Sequence, residues 1–461
     1  MCSSDLWWLL DKMGCQGPLN QYLGVFWWNE RSRQGGVLPK TTLQFQGLFP
    51  AGSQAFLNIG GQVCGKTLLQ EESAASVARH FEFLINATYV GVFARAEGNS
   101  LDIFARSATP AYQFLISASV EGGPGVITGA GPLSGGAMGQ WRVDPAASQL
   151  LNAGARAWHA DLYREAARRG RTVTTAISME LVNPPDGFAA RFPDGAPVMT
   201  AVGFGGLVST HCSFTLPVLE FQQRVLAEVA ALQSEAGLTP DLQFGEFCWW
   251  YFTNHSTQNP QGGMAFYDAE TAAAAEAALG RPLHRFLSPN DSPAVNGGAD
   301  VAFLRARLRN YVNSLSAALR SAYPNVKIEV LYPHDVNHPT PGGVHSLGGA
   351  LIHAVNLPPE WVSKVTSGLD RFKVEALDYS AWSRNADLAA VCLRFPLEIG
   401  WQPGEVKAMI AVFRGGGPWR KEVQIARDLG LAGVHLWAFD HVCLHGLDWA
   451  DQGARRSLFI G

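Results

Sequence analysis

Cysteine is the first shortage. The 461 residues include seven (Cys2, Cys15, Cys64, Cys212, Cys248, Cys392 and Cys443), an odd number with no CxxC spacing. That excludes a disulfide framework and a paired-thiolate zinc site, and leaves mostly buried free thiols. Long apolar runs are also missing, and none is long enough to span a bilayer as a helix. Neither sign of charge dominates. Against 39 Asp and Glu stand 35 Lys and Arg, a net charge of -4, which gives no attraction to nucleic acid or to an anionic membrane. The chain has no GxSxG and no dinucleotide-binding GxGxxG at a first strand–helix turn. The Gly-rich stretch from Gly122 to Gly139 lacks the Lys-Ser/Thr ending of a phosphate loop. His334, His338, His345 and His353 gather near Asp335 without HExxH spacing, so no metal and no cofactor is expected.

What is abundant is ordinary globular material, 47% hydrophobic and 16% charged, with an unusual 14 tryptophans. The length suits two or three domains, or one large barrel with insertions. Residues 1–6, MCSSDL, look like a translated adapter scar, which would place the natural start further upstream. Residues 7–50 supply early strands, with Gln21–Trp28 either a first barrel strand or the end of a lost domain. Residues 51–121 read as a compact module: a strand pair, a helix with Val77, Phe81, Leu84 and Ile85 at helical spacing, then strands joined by a Gly98-Asn99 turn. Residues 122–143 read as a Gly-rich linker.

From Asp144 to the end, helix and strand alternate, and Asp144-Pro145 offers cap and first-turn chemistry for the first helix. Strands are expected at Thr174–Glu180, Leu242–Phe247, Val326–Tyr332, Phe372–Asp378, Val406–Val412 and Val434–Asp440. Long loops follow several of them. This is the pattern of an α/β fold, a (β/α)8 TIM-like barrel with a small α+β module inserted or preceding it. Gln21–Trp28 would make seven strands, with an eighth at Arg394–Ile399 or within Gly203–Phe214.

Ligands of such barrels sit at the C-terminal strand ends. There the sequence puts Glu180 with Asn183, Glu246 with Trp249, Trp250 and Tyr251, and His334 with Asp335 and Asn337. Further on come Glu375 with Asp378 and Trp382, then Arg414, then Trp437 with Asp440. Carboxylates interleaved with aromatics suit a sugar: the acids handle protons and oxocarbenium charge, and flat rings stack on pyranose faces. Glu246 is the expected acid/base, with Asp378 or Glu375 as partner and Glu180 as the alternate. Because Glu375 and Asp378 are three apart, a regular strand would turn them to opposite faces, favouring Asp378 at the rim. The plainer alternative is that Glu246 is a paired strand-end residue and the tryptophans are core.

The segments SMELVNPP (Ser178–Pro185), QFGEFCWWYF (Gln243–Phe252), LYPHDVNHP (Leu331–Pro339), EALDYSAW (Glu375–Trp382) and LWAFDH (Leu436–His441) together resemble the glycosidase-like TIM barrel of bacteriophage non-contractile tail sheath proteins. The earlier module resembles small strand–helix–strand units of phage tail and bacterial surface proteins. The resemblance implies a virion or tail-like particle, other tail proteins or further copies as partners, and a carbohydrate ligand. It departs from many retaining glycosidases in two places: Gly245 precedes Glu246 where those have Asn, and the strand ending near Phe413-Arg414 carries no carboxylate. Two readings follow, a structural or glycan-engaging scaffold and an active glycoside hydrolase.

Overall fold

The computed structural model describes residues 3–12, 17–23, 37–89, 91–106, 114–136, 143–201, 208–252, 263–286, 288–294, 297–338, 349–375, 377, 379–380, 385–412 and 418–437. It divides into two units, Arg31–Arg142 and the remainder, Met1–Glu30 with Val143–Gly461.

The larger unit is a parallel barrel wrapped by helices. Among the described residues its sheet has seven strands: β1 (Leu19–Leu23), β2 (Val173–Ile177), β3 (Asp241–Phe244), β4 (Lys327–Pro333), β5 (Arg371–Glu375), β6 (Val406–Ala411) and β7 (Gly433–Trp437). Each pairs in parallel with the next in that order. The outer layer includes α1 (Ala153–Arg168), α2 (Leu216–Glu235), α3 (Gly298–Ala322), α4 (Ala386–Ile399) and α5 (Trp419–Asp428). All seven expected strands are present, and the architecture is an α/β TIM-like barrel.

Three expectations need correcting. Arg394–Ile399 is not a strand but the last part of α4, which Asn385 starts by accepting from the backbone of Asp387 and Leu388. Val208–His211 is a strand, but it belongs to a small antiparallel sheet with Glu180–Leu181 and Met199–Ala201. Short apolar runs carry no period long enough to tell these cases apart. The helix expected at Asp144 begins at Ala153, where Asn152 Oδ1 accepts from Ala155 N at 2.8 Å. Asp144 instead closes a turn, accepting from Ala146 N.

Alternation along the strands sorts the barrel into an apolar outer face and a charged inner one. On β5, Phe372 and Val374 join the core beneath the helices, whereas Arg371, Lys373 and Glu375 face inward. On β4, Ile328, Val330 and Tyr332 face outward and Glu329 inward. Glu329 is fully buried and sits 2.5 Å from Lys373 Nζ, 3.2 Å from Lys407 Nζ and 2.9 Å from Arg371 Nε. Arg371 also pairs with Asp241, and Lys373 Nζ donates to Gln243 Oε1 at 2.6 Å and to Asn20 Oδ1 at 3.0 Å. The filling of the barrel is thus an ion cluster that ties β1, β3, β4, β5 and β6 together. Such a cluster gives little net stability over an apolar core, but losing one member leaves buried charge uncompensated.

In the smaller unit, the helix Ala74–Thr88 is capped by Ser73 and buries Val77, Ala78, Phe81 and Ile85 in that unit's core. The two-residue turn Gly98-Asn99 joins Val92–Glu97 to Ser100–Ala105. The Gly-rich stretch is not a free linker, because Val126–Thr128 pairs antiparallel with Lys40–Gln46. Gly129, at φ +83°, lies so close to Thr42 that a Cβ would fall 2.2 Å from its carbonyl oxygen.

Candidate functional site

The site is built around the end of β3. Gly245 N donates to Ile177 O of β2 at 3.0 Å, and a Cβ on residue 245 would lie 2.7 Å from that oxygen. The strands press together too closely for any side chain, which accounts for glycine in place of the Asn of many retaining glycosidases. The chain then turns sharply, and Glu246 takes φ +57°. Among the described non-glycine residues, only Asn183 shares a positive φ. A left-handed backbone costs an L-residue about 1–2 kcal/mol, so the surroundings must hold it. Part of that hold is visible: Glu246 O accepts from Cys248 N at 2.8 Å and from Trp250 Nε1 at 3.4 Å.

Four carboxyl groups share this end of the barrel. Half-buried Glu180 and Glu246 follow β2 and β3, buried Asp335 follows β4, and buried Glu375 ends β5. Glu180 Oε2 accepts from Ser209 Oγ at 3.2 Å. Burial first, then the negative charges of Glu180 and Asp335, push Glu246 up to about 7. Burial, then Glu246 and Asp335, push Glu375 well above the carboxylate range, with Lys373 opposing. Glu375 Oε2 is buried without a hydrogen-bond partner. Both shifts favour the protonated form of these two carboxyls. Tyr22 of β1 completes the group. Its hydroxyl bonds to Ser178, and burial followed by the charge of Glu246 raises its pKa strongly. The Tyr22 residue as a whole is 48% exposed, so part of its ring remains open beside the acids, and Trp437, at the end of β7, is 39% exposed.

Of the residues expected in the site, Glu180, Glu246, Asp335 and Glu375 come together. The alternation argument for Asp378 does not apply, because β5 ends at Glu375. Glu375 lies on the inner face, two residues beyond Lys373. Asp378, Trp382, Arg414 and Asp440 lie outside the described residues. Trp249 is turned into the core. Its N donates to Asn356 Oδ1 at 2.6 Å, its Nε1 donates to Leu304 O at 3.1 Å, and its ring meets Phe214 edge-on at 4.5 Å. Asn337 is equally committed, donating to Pro333 O and accepting from Asn356 Nδ2, each at 2.7 Å. His334 stacks on His338 at 3.9 Å, with Nδ1 2.9 Å from Cys392 Sγ of α4, and burial lowers its pKa to about 3. Trp250 is half-buried with its ring edge towards His211, Tyr251 sits in a short strand paired with Gly263–Met264, and Asn183 is exposed.

Sequence reading missed Tyr22, Ser178 and His211. His211 lies opposite Glu180 in the small sheet, and burial keeps it neutral by lowering its pKa to about 3. Tyr22 had a legible signal, since it shares the inner face of β1 with Asn20. His211 had none. Among the described residues no group of His, Cys, Asp and Glu is arranged to hold a metal, and no helix is long and apolar enough to cross a membrane.

No curated protein sequence matches the chain. Among solved structures, the β-amylase catalytic domain from Paenibacillus polymyxa is similar at 14% identity and a TM-score of 0.41, covering 65% of this chain and 83% of that one. The PgaB (BpsB) glycoside hydrolase domain from Bordetella bronchiseptica is similar at 14% identity and a TM-score of 0.40, covering 64% of this chain and 77% of that one. Residues 136–447, most of the chain, match the family described as non-contractile tail sheath protein TIM barrel, and the chain belongs to that family.

Proposed function

We propose that this protein is a structural component of a tail-like particle that assembles with further copies or other tail proteins, and that its barrel mouth engages carbohydrate. Family membership supports the first half. The observation carrying the second is the grouping of Glu180, Glu246, Asp335 and Glu375 beside the partly exposed ring of Tyr22. Aromatic faces take the apolar faces of sugars, and carboxyl groups take their hydroxyls.

A second reading, glycoside hydrolysis, is favoured by one feature. Glu246, pushed up to about 7, has the pKa of a working general acid at neutral pH. Burial works against a charged Glu375, so the partner in this reading is Glu180, whose charge acts on Glu246. The test is a panel of poly- and oligosaccharides measured for binding and for cleavage with the native chain and Glu246→Gln. Binding by both without cleavage fits the scaffold reading. Cleavage lost in the variant establishes the enzyme. No binding to any glycan removes carbohydrate from the function.

A further inference from the structure

We infer that copies of this chain join as knob and hole: the exposed Leu69 of one copy seats in a cleft on the barrel wall of the next. This rests on the assembly half of the reading above and does not involve the barrel mouth. The cleft lies between the N-terminal end of α2 and the flank of α3, with Glu270 of the helix Ala269–Leu279 at its edge. It has room for about 300 Å³. Its floor is apolar: buried Phe214 and Tyr311 meet edge-on at 5.0 Å, and half-buried Phe303 and Leu219 stand beside them. Glu270 Oε2 accepts from Leu216 N at 2.9 Å and its Oε1 from Arg307 Nη2 at 2.6 Å. Glu270 is thereby engaged, whereas the buried Nε of Arg307 has no hydrogen-bond partner. A buried donor without a partner is unusual in a folded protein. The hole therefore suits an apolar side chain with an acceptor next to it.

The chain itself carries such a group. Leu69 is 91% exposed, on the bend between the strand Gln62–Thr67 and the helix Ala74–Thr88. Its neighbours hold it out. Leu68 is buried, its N donates to Ser53 O at 3.0 Å, and its O accepts from Gly52 N at 2.8 Å. On the other side, Glu72 is fixed by Lys66 Nζ at 2.5 Å and Ser76 Oγ at 2.7 Å. A bend pinned at both ends loses little freedom on docking. Gln70 and Glu71, both exposed, put carboxamide and carboxylate oxygens next to Leu69. Val365 is as exposed as Leu69, but it follows Lys364, a donor, so complementarity with the Arg307 N–H selects Leu69. Knob and hole are different patches, which makes the contact head-to-tail, and such contacts run on into rings or helical filaments. That growth suits a tail built of repeated copies.

The test is sedimentation velocity of the full chain over a range of concentrations, alongside Leu69→Asp, Ala306→Trp, which fills the cleft, and an equimolar mixture of the two variants. The native chain is expected to associate as concentration rises, and each variant alone to associate about tenfold more weakly. The mixture should form dimers that grow no further, since the first variant keeps only the hole and the second only the knob. Dimers in the mixture also show that both variants are folded. Ser314→Trp, on the same wall, replaces Ala306→Trp if melting curves show that variant unfolded. Native-like association of either variant alone overturns the inference and leaves the assembly reading intact. Folded variants whose mixture stays monomeric overturn it as well. A native chain that stays monomeric at every concentration overturns the inference and leaves only other tail proteins as partners in the assembly reading.

Discussion

Replacing Glu329 with Gln tests the ion cluster at its centre. The side chain is fully buried and touches Lys373, Lys407 and Arg371 within 3.2 Å. Gln keeps the shape and removes the charge, so Lys373, also fully buried, loses its counter-ion. Breaking a buried pair in this way destabilises by about 3–5 kcal/mol, a large share of the 5–15 kcal/mol or so that holds a typical domain. Urea unfolding followed by tryptophan fluorescence is the assay. Of the tryptophans only Trp141 falls within Arg31–Arg142, so the signal reports the barrel unit. The loss should also depend on pH. Burial holds Lys373 at about 8, below the ordinary 10.5 of a lysine, and the charge of Glu329 is the largest influence resisting that drop. Without Glu329 the folded-state pKa falls further. The unfolded chain then binds more protons than the folded one over a window that opens below pH 8, and the variant regains stability across it. The gap between native and variant should therefore narrow as pH rises towards 8. A loss under about 1 kcal/mol at neutral pH, or a gap unchanged between mildly acidic and mildly basic pH, would refute the reasoning.

Other outcomes follow from the mouth and its support. Glu246→Gly relieves the left-handed strain at φ +57° and should raise stability by about 1 kcal/mol in the same urea titration, at the expense of any carbohydrate affinity. Glu246→Gln should flatten the acid side of the stability profile. With a folded pKa of about 7 against 4.5 unfolded, the native protein holds an extra proton in that window and loses stability as pH rises through it; a series of melting temperatures between those values shows the slope or its absence. Asn356→Ala strips partners from the N–H and C=O of Trp249 and from Asn337 Oδ1. At about 1–3 kcal/mol per buried orphan, a loss of at least ~2 kcal/mol should appear in denaturant.

Much of the barrel was legible because buried parallel strands read as apolar runs bounded by turns, as VKIEVLY and VHLWAFD do. Glu246 was legible for the same reason, being the first charge after one of those runs. The fate of the aromatics behind it was not. Trp249 goes inward because Asn356, 107 residues away, satisfies its backbone, and nothing near Trp249 announces that partner. The facing argument for Glu375 and Asp378 assumed a strand that ends three residues later than β5 does. The ion cluster left a readable trace in Glu329, Lys373 and Lys407, each a charge inside an otherwise apolar strand. Pairing them requires the strand register, which the sequence does not print.

The position of β1 has a consequence for how the chain is made. Asn20 of β1 donates to Thr174 O of β2, 154 residues later. At a synthesis rate of about 5–20 residues per second, β1 waits roughly 8–30 s for its neighbour to exist. Meanwhile the smaller unit can complete itself, and its own ends meet where Lys40 N donates to Ser134 O at 2.9 Å. Once residues 40–134 are closed into a folded unit, less free chain separates β1 from β2. Closing that unit first lowers the loop-closure entropy that pairing β1 with β2 must overcome.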